Sequence, residues 1–396
     1  MLTMANIDEA LKLFYLDAFR YQLNDKASIL LAQIEKTSEN VVGKKIVMAL
    51  RYGRVGGIGN RSDDGTLPTP NARKTKQAEW DTKNIFARFQ ITEKAIAASR
   101  SREGAFAPLL QQEFEDCEKD TRLDLSRQVL GDGTGVLATA SAAAHNNGVV
   151  TVTVDSTMYL AEGMLVDIRK SDGNQRHADC DEVEITAVLS DTQFTYAGTT
   201  NTPADTDIVV VAGNFGKELT GLDAVIASGT TLYGIDRSTP GNQWLDGRLK
   251  NIGGELRETD IQYAIDEVER TSGSEINFLL CSYGVRRAYQ SLQTAMKQFA
   301  NKMTLTGGWE ALSYTGGKQT MALAADKYVK PGRMYCLDLS DWKMYQMADW
   351  DWMDRDGAIL TRVVNKPAWE ATLLKFCDLG CQRPKGQFLL YGIAEH

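Results

Sequence analysis

The segment Asp349-Trp350-Asp351-Trp352-Met353-Asp354-Arg355-Asp356 has the residue types that come nearest to a reactive site. Paired carboxylates serve glycoside hydrolysis as acid and base or nucleophile, and indole faces can hold sugar rings. Strand alternation gives a plainer account. It puts Trp350 and Trp352 on one face and the aspartates on the other, as in a half-buried strand with a solvated acidic edge. Gly317-Lys318-Gln319 invites a phosphate-loop reading, which fails. Leu312 stands where the first glycine belongs, and Gln319 where a Ser or Thr would bind magnesium. Gly53-Arg54-Val55-Gly56-Gly57-Ile58-Gly59 lacks the preceding buried strand and following helix of a dinucleotide turn, and reads as a loop. His177 and Cys180 are three apart, and Cys377 and Cys381 four apart on a strand-like run. Neither pair assembles four ligands at zinc spacing. The three histidines (145, 177 and 396) suggest no Ser/His/Asp or Cys/His arrangement. The expectation is a structural protein with no catalytic, cofactor or metal residues, not an enzyme.

Composition bounds the same conclusion. A chain of 396 residues makes two or three compact units. Apolar content of 43% and charged content of 24% are those of a folded protein. A net charge of −8 is not that of a chain built mainly to wrap nucleic acid. No apolar run approaches the roughly 18 residues needed to span a bilayer, so no membrane partner is expected. Ile208-Val209-Val210-Val211 reads as a buried strand. Asp8 and Glu9, with no basic flank and no small-residue cleavage site, argue against a secretory signal. Cysteines 117, 180, 281, 336, 377 and 381 are too scattered for a disulfide scaffold and read as reduced thiols in a cytosolic folding environment.

The elements follow from periodicity. Residues 6–24 read as a helix capped by Asn6, with Glu9 closing a capping box and Ile7, Leu11, Phe14, Ala18 and Tyr21 on one face. Residues 51–91 are rich in glycine. They carry eight Lys/Arg (51, 54, 61, 73, 74, 76, 83, 88) against four Asp/Glu (63, 64, 79, 81), a local net of +4 that leaves −12 for the remainder. Such a stretch cannot bury a core of its own. With Ile85, Ala87, Phe89 and Ile91 alternating with polar neighbours, it reads as an extended hairpin arm laid over a partner. Thr92 is read as the cap of a short helix over 93–99. A longer helix runs from Pro108 to Leu130, about 34 Å at 1.5 Å per residue, with Leu110, Phe114, Cys117, Thr121, Leu125 and Val129 as its stripe. One stretch of it is acidic: Glu113, Glu115, Asp116, Glu118 and Asp120. Leu130-Gly131-Asp132-Gly133-Thr134-Gly135 then forces a sharp exit, for which glycine supplies positive φ. Residues 146–215 alternate like a small antiparallel barrel or sandwich inserted into a larger domain. Beyond it, Thr259 with Gln262 opens a helix carrying Ile261, Ala264, Ile265 and Val268. A second helix carries Val285, Tyr289, Leu292, Met296 and Phe299. Strand-like runs follow over 334–347 and 369–381. The class is α+β without βαβ alternation or repeats.

This ordered set resembles the major capsid proteins of tailed bacteriophages, those with the Hong Kong 97-type fold. The resemblance covers nearly the whole chain. It rests on the basic loop at 51–91, the spine-type helix ending in Val129-Leu130-Gly131-Asp132-Gly133-Thr134-Gly135, and Leu219-Thr220-Gly221-Leu222 leading to Gly234-Ile235-Asp236-Arg237. The closing run 369–393, with Arg383-Pro384 and Phe388-Leu389-Leu390-Tyr391-Gly392, completes it. The resemblance implies an N-terminal arm over 1–48 and an extended loop over 49–97. It implies a peripheral domain from 98–145 and 335–380, and an axial domain from 216–334 and 381–396. The β unit at 146–215 is then an inserted domain.

The function so implied is self-assembly into hexamers and pentamers of an icosahedral head enclosing double-stranded DNA, built in the bacterial host cytoplasm and found in the virion capsid. Partners would be other copies of the chain, a portal protein, a separate scaffolding protein (or none), a decoration protein, and packaged DNA through non-specific contact. The loop with Arg73, Lys74, Lys76 and Lys83 is expected to cross a neighbouring subunit and meet Glu113, Glu115, Asp116, Glu118 and Asp120 there. Trp80, Phe86 and Phe89 are expected to supply most of the apolar contact, while Gly131, Asp132, Gly133 and Gly135 form the helix-exit turn. Some members of the family link a loop lysine to a neighbour's asparagine, for which Lys74, Lys76 or Lys83 with Asn365 are the candidates. Other readings are an encapsulin-like nanocompartment shell, a phage tail or decoration protein, and a carbohydrate-active enzyme using Asp349–Asp356.

Overall fold

A computed structural model describes residues 28–53, 56–94, 106–199, 202–295, 302–306, 309–316, 319–354 and 357–395. The helices expected over 6–24 and 93–99, and the positions Met296 and Phe299, lie wholly or largely outside those residues. The fold divides into two compact units, one formed by the chain before Leu123 and after Ala224, the other by Leu123–Ala224.

The first unit holds two main sheets and a hairpin. A five-stranded sheet runs in the order β1 (Glu35–Thr37), β20 (Trp342–Trp352), β22 (Ala368–Cys381), β21 (Thr361–Arg362), with β5 (Lys83–Thr92) also paired to β22. Its apolar face is made by alternation: Ile85, Ala87, Phe89 and Ile91 of β5 are buried, as are Trp350 and Trp352 of β20. The seven-stranded sheet has the order β14 (Arg248–Gly254), β23 (Phe388–Ile393), β19 (Met334–Leu337), β15 (Phe278–Cys281), β18 (Gln319–Ala325), β17 (Glu310–Gly316), β16 (Lys302–Thr304). Strands β2 (Val41–Val42), β3 (Lys45–Arg51) and β4 (Thr75–Asp81) form a third sheet, and β12 (Thr231–Leu232) pairs β13 (Ile235–Asp236). The helices are α1 (Ile29–Gln33), α2 (Phe106–Leu130), α3 (Leu222–Ile226), α4 (Glu258–Ser272) and α5 (Tyr283–Ala295). Ile261, Ala264, Ile265 and Val268 of α4, with Val285 and Tyr289 of α5, pack in one core with Leu279, Leu323 and Leu390 of the seven-stranded sheet. Each buried aliphatic side chain of this kind contributes roughly 1.5–3 kcal/mol.

The second unit contains a closed barrel, β10-β7-β6-β11-β8-β9, from β6 (Val136–Asn146), β7 (Val149–Val154), β8 (Leu165–Arg169), β9 (Val183–Ser190), β10 (Gln193–Ala197) and β11 (Ile208–Val211). All its pairs are antiparallel. Val150, Val152, Val154, Val166, Ile168, Phe194 and Tyr196 fill it.

Several boundaries differ from the sequence reading. Residues 28–48, expected in an arm, pack on their own chain. Ile29, Leu30, Leu31 and Ile34 are buried, and β1 pairs in parallel with β20. Of the residues 49–97 expected as an extended loop, β5 belongs to the five-stranded sheet through ten paired residues. The barrel begins at Val136 and not at 146, since the alanine-rich run 137–144 is strand. The strand-like run 334–347 is two strands in different sheets, broken by a 3-10 turn at Leu339–Asp341. Thr259 does not open its helix: the cap position is Arg257, with no side-chain cap bond. β15 and β18 are parallel neighbours, joined through α5 and the antiparallel pair β16–β17, a single crossover and not a repeated βαβ alternation.

Candidate assembly interface

The helix exit is fixed by close backbone approach. Gly133 and Gly135 have φ of +80° and +83°, where a Cβ would be strained. Asp132 Oδ1 accepts from the Thr134 amide at 2.9 Å and its hydroxyl at 2.5 Å, closing an Asx turn. A Cβ on Gly221 would come within 2.5 Å of the carbonyl oxygens of Gln128 and Gly131, so only glycine lets segment 219–222 lie across the helix end. Arg127 donates to Glu218 from Nη1 at 2.8 Å and from Nη2 at 2.6 Å, with both side chains buried. Gly131, Asp132, Gly133 and Gly135 therefore have an architectural role.

The hairpin β3–β4 is in register from Lys45–Asp81 to Arg51–Thr75. Its base is fastened to its own chain. Trp80 stacks on Tyr233 at 4.0 Å and meets Tyr345 edge-on at 6.0 Å. The Glu79 amide donates to Tyr233 O at 3.1 Å, and Gly234, with φ of +75°, has no Cβ to strike Glu79 O. Tyr52 stacks on Trp244 at 4.9 Å, and Lys76 Nζ donates to Asn242 Oδ1 at 2.9 Å. Beyond this base, the described residues of 52–74 form no strand or helix and are nearly all exposed, with Ile58 and Leu67 at 77% and 81%. Glu79 and Asp81 on the strand are matched by Lys45 and Lys44. Residues 51–76 hold six Lys/Arg (51, 54, 61, 73, 74, 76) against Asp63 and Asp64, so the whole +4 of the segment lies at and beside the tip.

The aromatic residues expected to reach a neighbour divide. Trp80 is engaged at the hairpin base. Phe89 is 6% exposed and meets Trp352 edge-on at 6.3 Å, because β5 turns that face into its own sheet. Phe89 is thus a packing residue of its own chain, contrary to the expectation for it, while Trp80 is stacked on its own chain and stays half-buried. Phe86, on the opposite face, is 56% exposed beside Phe376 at 6.4 Å. Lys83 is the first residue of β5 and sits opposite Cys377, away from the tip. Arg73 and Lys74 are exposed. On α2, Glu115, Asp116 and Asp120 are exposed, while Glu113 and Glu118 are half-buried. Burial raises the Glu118 carboxyl above its ordinary range, with Arg122 opposing and Glu115 adding to the shift. The charges of 113–120 sum to −4, with Lys119 against the five acids. Sequence reasoning missed Tyr52, Tyr233, Asn242 and Trp244; Gly234 beside Tyr233 was the one local signal of a close approach there.

The described residues of the reactive-looking segments make packing and ion-pair contacts. Trp350 and Trp352 are buried and Asp351 is exposed, as alternation predicts. Asp349 Oδ1 takes the Lys375 ammonium at 2.9 Å. Cys180 Sγ lies 3.7 Å from His177 Nδ1 and 3.2 Å from the Tyr196 hydroxyl, and among the described residues no three His, Cys, Asp or Glu cluster as metal ligands. All six cysteines are free.

No protein-family model matches the chain, and no curated protein matches it. Solved structures of shells are similar to it. The capsid of cyanophage A-1(L) is 12% identical, covering 91% of this chain and 90% of its own, with a TM-score of 0.49. The capsid of the myovirus phage XM1 is 7% identical over 92% and 91%, with a TM-score of 0.45. An encapsulin of Synechococcus elongatus is 10% identical over 93% and 89%, also at 0.45. Likenesses this distant leave the functional reading to the chain's own geometry.

Proposed function

We propose that this protein is the major capsid protein of a tailed phage with a Hong Kong 97-type fold, assembling as hexamers and pentamers around double-stranded DNA. The observation that carries the reading is the hairpin. The strands are fixed to their own subunit by Trp80, Tyr52 and Lys76, while the loop 53–74 between them is extended, has no core, and carries four Lys/Arg (54, 61, 73, 74) against Asp63 and Asp64, a charge of +2. On α2 the exposed Glu115, Asp116 and Asp120, with Lys119, present a charge of −2. A surface that presents complementary patches at two places on one chain makes head-to-tail contacts, which close into rings when the rotation between copies closes. Exposed ion pairs are worth at most about 1 kcal/mol each, so charge sets register more than affinity. The barrel is an insertion on this reading, lying between two parts of the larger unit in sequence. Portal, scaffolding and decoration proteins would be further partners, and the place of action would be the virion, with assembly in host cytoplasm.

Electron microscopy of purified protein tests the reading. Rings and closed particles are expected, and particles from infected cells should carry an ultraviolet spectrum dominated by nucleic acid. A compact monomer under all conditions overturns it. Particles filled with a protein cargo would select the encapsulin-like alternative.

A further inference from the structure

The chain passes from the seven-stranded to the five-stranded sheet through Asp338–Asp341, between β19 and β20, and returns through 382–387, between β22 and β23. The two crossings are bonded to one another. The Gln382 amide donates to Asp341 O at 2.9 Å, and the Asp338 amide donates to Gln387 Oε1 at 3.0 Å. Asp341 is 3% exposed. Its Oδ2 accepts from the Ser274 hydroxyl at 3.2 Å, and its Oδ1 lies 3.4 Å from Arg383 Nε. A side chain on Gly386 would strike Ser274 and approach Asp341 Oδ2 at 3.4 Å, so the joint is tightly closed.

The charge at this joint is poorly balanced. The second carboxylate of the turn, Asp338, is also buried, at 6% exposed. The counter-charge, Arg383, is 57% exposed and its attraction is weakened by water. The Cys381 thiol faces the pair from the end of β22, held neutral by burial, and α4 contributes the uncharged Ser274. A carboxylate enclosed beside another, with one half-solvated cation, favours its protonated form. Burial first, then Asp338, pushes the Asp341 carboxyl up to about 6, against Arg383 and Ser274.

We propose that a proton on Asp341 pins the two crossings together, and that its loss loosens the joint between the sheets. Opening the joint hydrates Asp341 and returns it to an ordinary carboxyl, near 3.8. Opening is therefore hardest below the ordinary value. It becomes about tenfold easier per pH unit up to the raised value, and levels off above it. Neutral conditions loosen the joint and mild acid tightens it. This is a property of the single chain and does not depend on the capsid reading.

Hydrogen exchange of the intact, unassembled chain from pH 4 to 7.5, corrected for intrinsic rate, tests the proposal. Protection of the Asp338 and Gln382 amides, relative to those of β15, should fall on the order of tenfold to a hundredfold between pH 4 and 6 and then stay level. Asp341→Asn, a neutral isostere, should make protection high and flat. Arg383→Gln should move the levelling point to higher pH, a result readable even if the first variant folds poorly. A flat profile in the native chain, or the same slope in Asp341→Asn, overturns the proposal.

Discussion

Arg127 and Glu218 face each other through two parallel hydrogen bonds, 2.8 and 2.6 Å long, with 7% and 3% of their side chains exposed. Ninety-one positions apart, they clamp the end of the long helix to the segment returning from the barrel. Asp124 Oδ1 adds a second acceptor for the same guanidinium at 2.6 Å. Removing one partner of a buried pair leaves the other charge uncompensated, which costs about 3–5 kcal/mol. Arg127→Ala should destabilise the chain by that order in urea titrations. Arg127→Met with Glu218→Leu should recover most of the loss, because an apolar pair leaves no stranded charge.

The glycine at 221 gives a second, geometric expectation. Its neighbours are backbone carbonyls, which cannot rotate aside as a side chain could. Gly221→Ala should therefore cost about 1–3 kcal/mol or more through overpacking. Gly254→Ala meets nothing within 4 Å and does not carry a positive φ, so it serves as the control. Equal unfolding midpoints for the two variants would contradict the close-approach account.

What was legible in the sequence was local and periodic. The alternation of Ile85, Ala87, Phe89 and Ile91 gave a strand with one buried face, and the spacing of Leu125 and Val129 gave the buried side of the long helix. The partner of each face was not legible. Strand β5 pairs with residues 368–377, far along the chain, and nothing in its own pattern distinguishes an intramolecular sheet from a neighbour's surface. The stacking of Trp80 on Tyr233 was hidden for the same reason, since Tyr233 reaches it through a turn at Gly234. The strand over 137–144 escaped because alanine is a poor strand former in isolation. There the decision is made by barrel packing, with Ala138 and Ala140 at 2% and 1% exposed. The Arg127–Glu218 clamp has no periodic signature at all.

The division between Phe86 and Phe89 predicts opposite phenotypes from neighbouring substitutions. Phe89→Ala empties a buried aromatic position against Trp352 and should cost about 3–5 kcal/mol in chain stability. Phe86→Ala should change chain stability by less than about 1 kcal/mol and be felt, if at all, in assembly. Calorimetry of unassembled protein reads the first, and sedimentation of particles the second. Loss of stability in Phe86→Ala matching that of Phe89→Ala would mean its face is covered within the subunit.

Reversing charge at the hairpin tip separates assembly from folding. Arg73 and Lys74 are exposed, whereas Lys76 also bonds Asn242 and would confuse the result. Arg73→Glu with Lys74→Glu should leave the unfolding midpoint within about 0.5 kcal/mol of the native chain. Assembly should weaken, and the weakening should fade with added salt, as screening shortens the Debye length to about 3 Å at 1 M. Assembly with the native yield and the native salt dependence would remove charge from the interface.

Cys117 offers a direct report on the acidic helix. The other five cysteines are buried, and Cys117 alone is half-exposed. Burial, then neighbouring Asp120, Glu113 and Glu118, pushes its thiol up to about 11 against a bond to Thr121. Only the thiolate reacts, so at pH 8 about one molecule in a thousand is competent, and alkylation should quicken about tenfold per pH unit up to that value. Docking a cationic tip on Glu115, Asp116 and Asp120 has two opposed effects. It covers the thiol, which slows reaction, and it brings positive charge near, which favours the thiolate. Coverage dominates when the helix is buried in an interface, because a reagent that cannot approach does not react whatever the ionisation. Alkylation of Cys117 should therefore be suppressed at least tenfold in assembled particles relative to free chains at the same pH. Equal rates in both would place the interface elsewhere on the molecule.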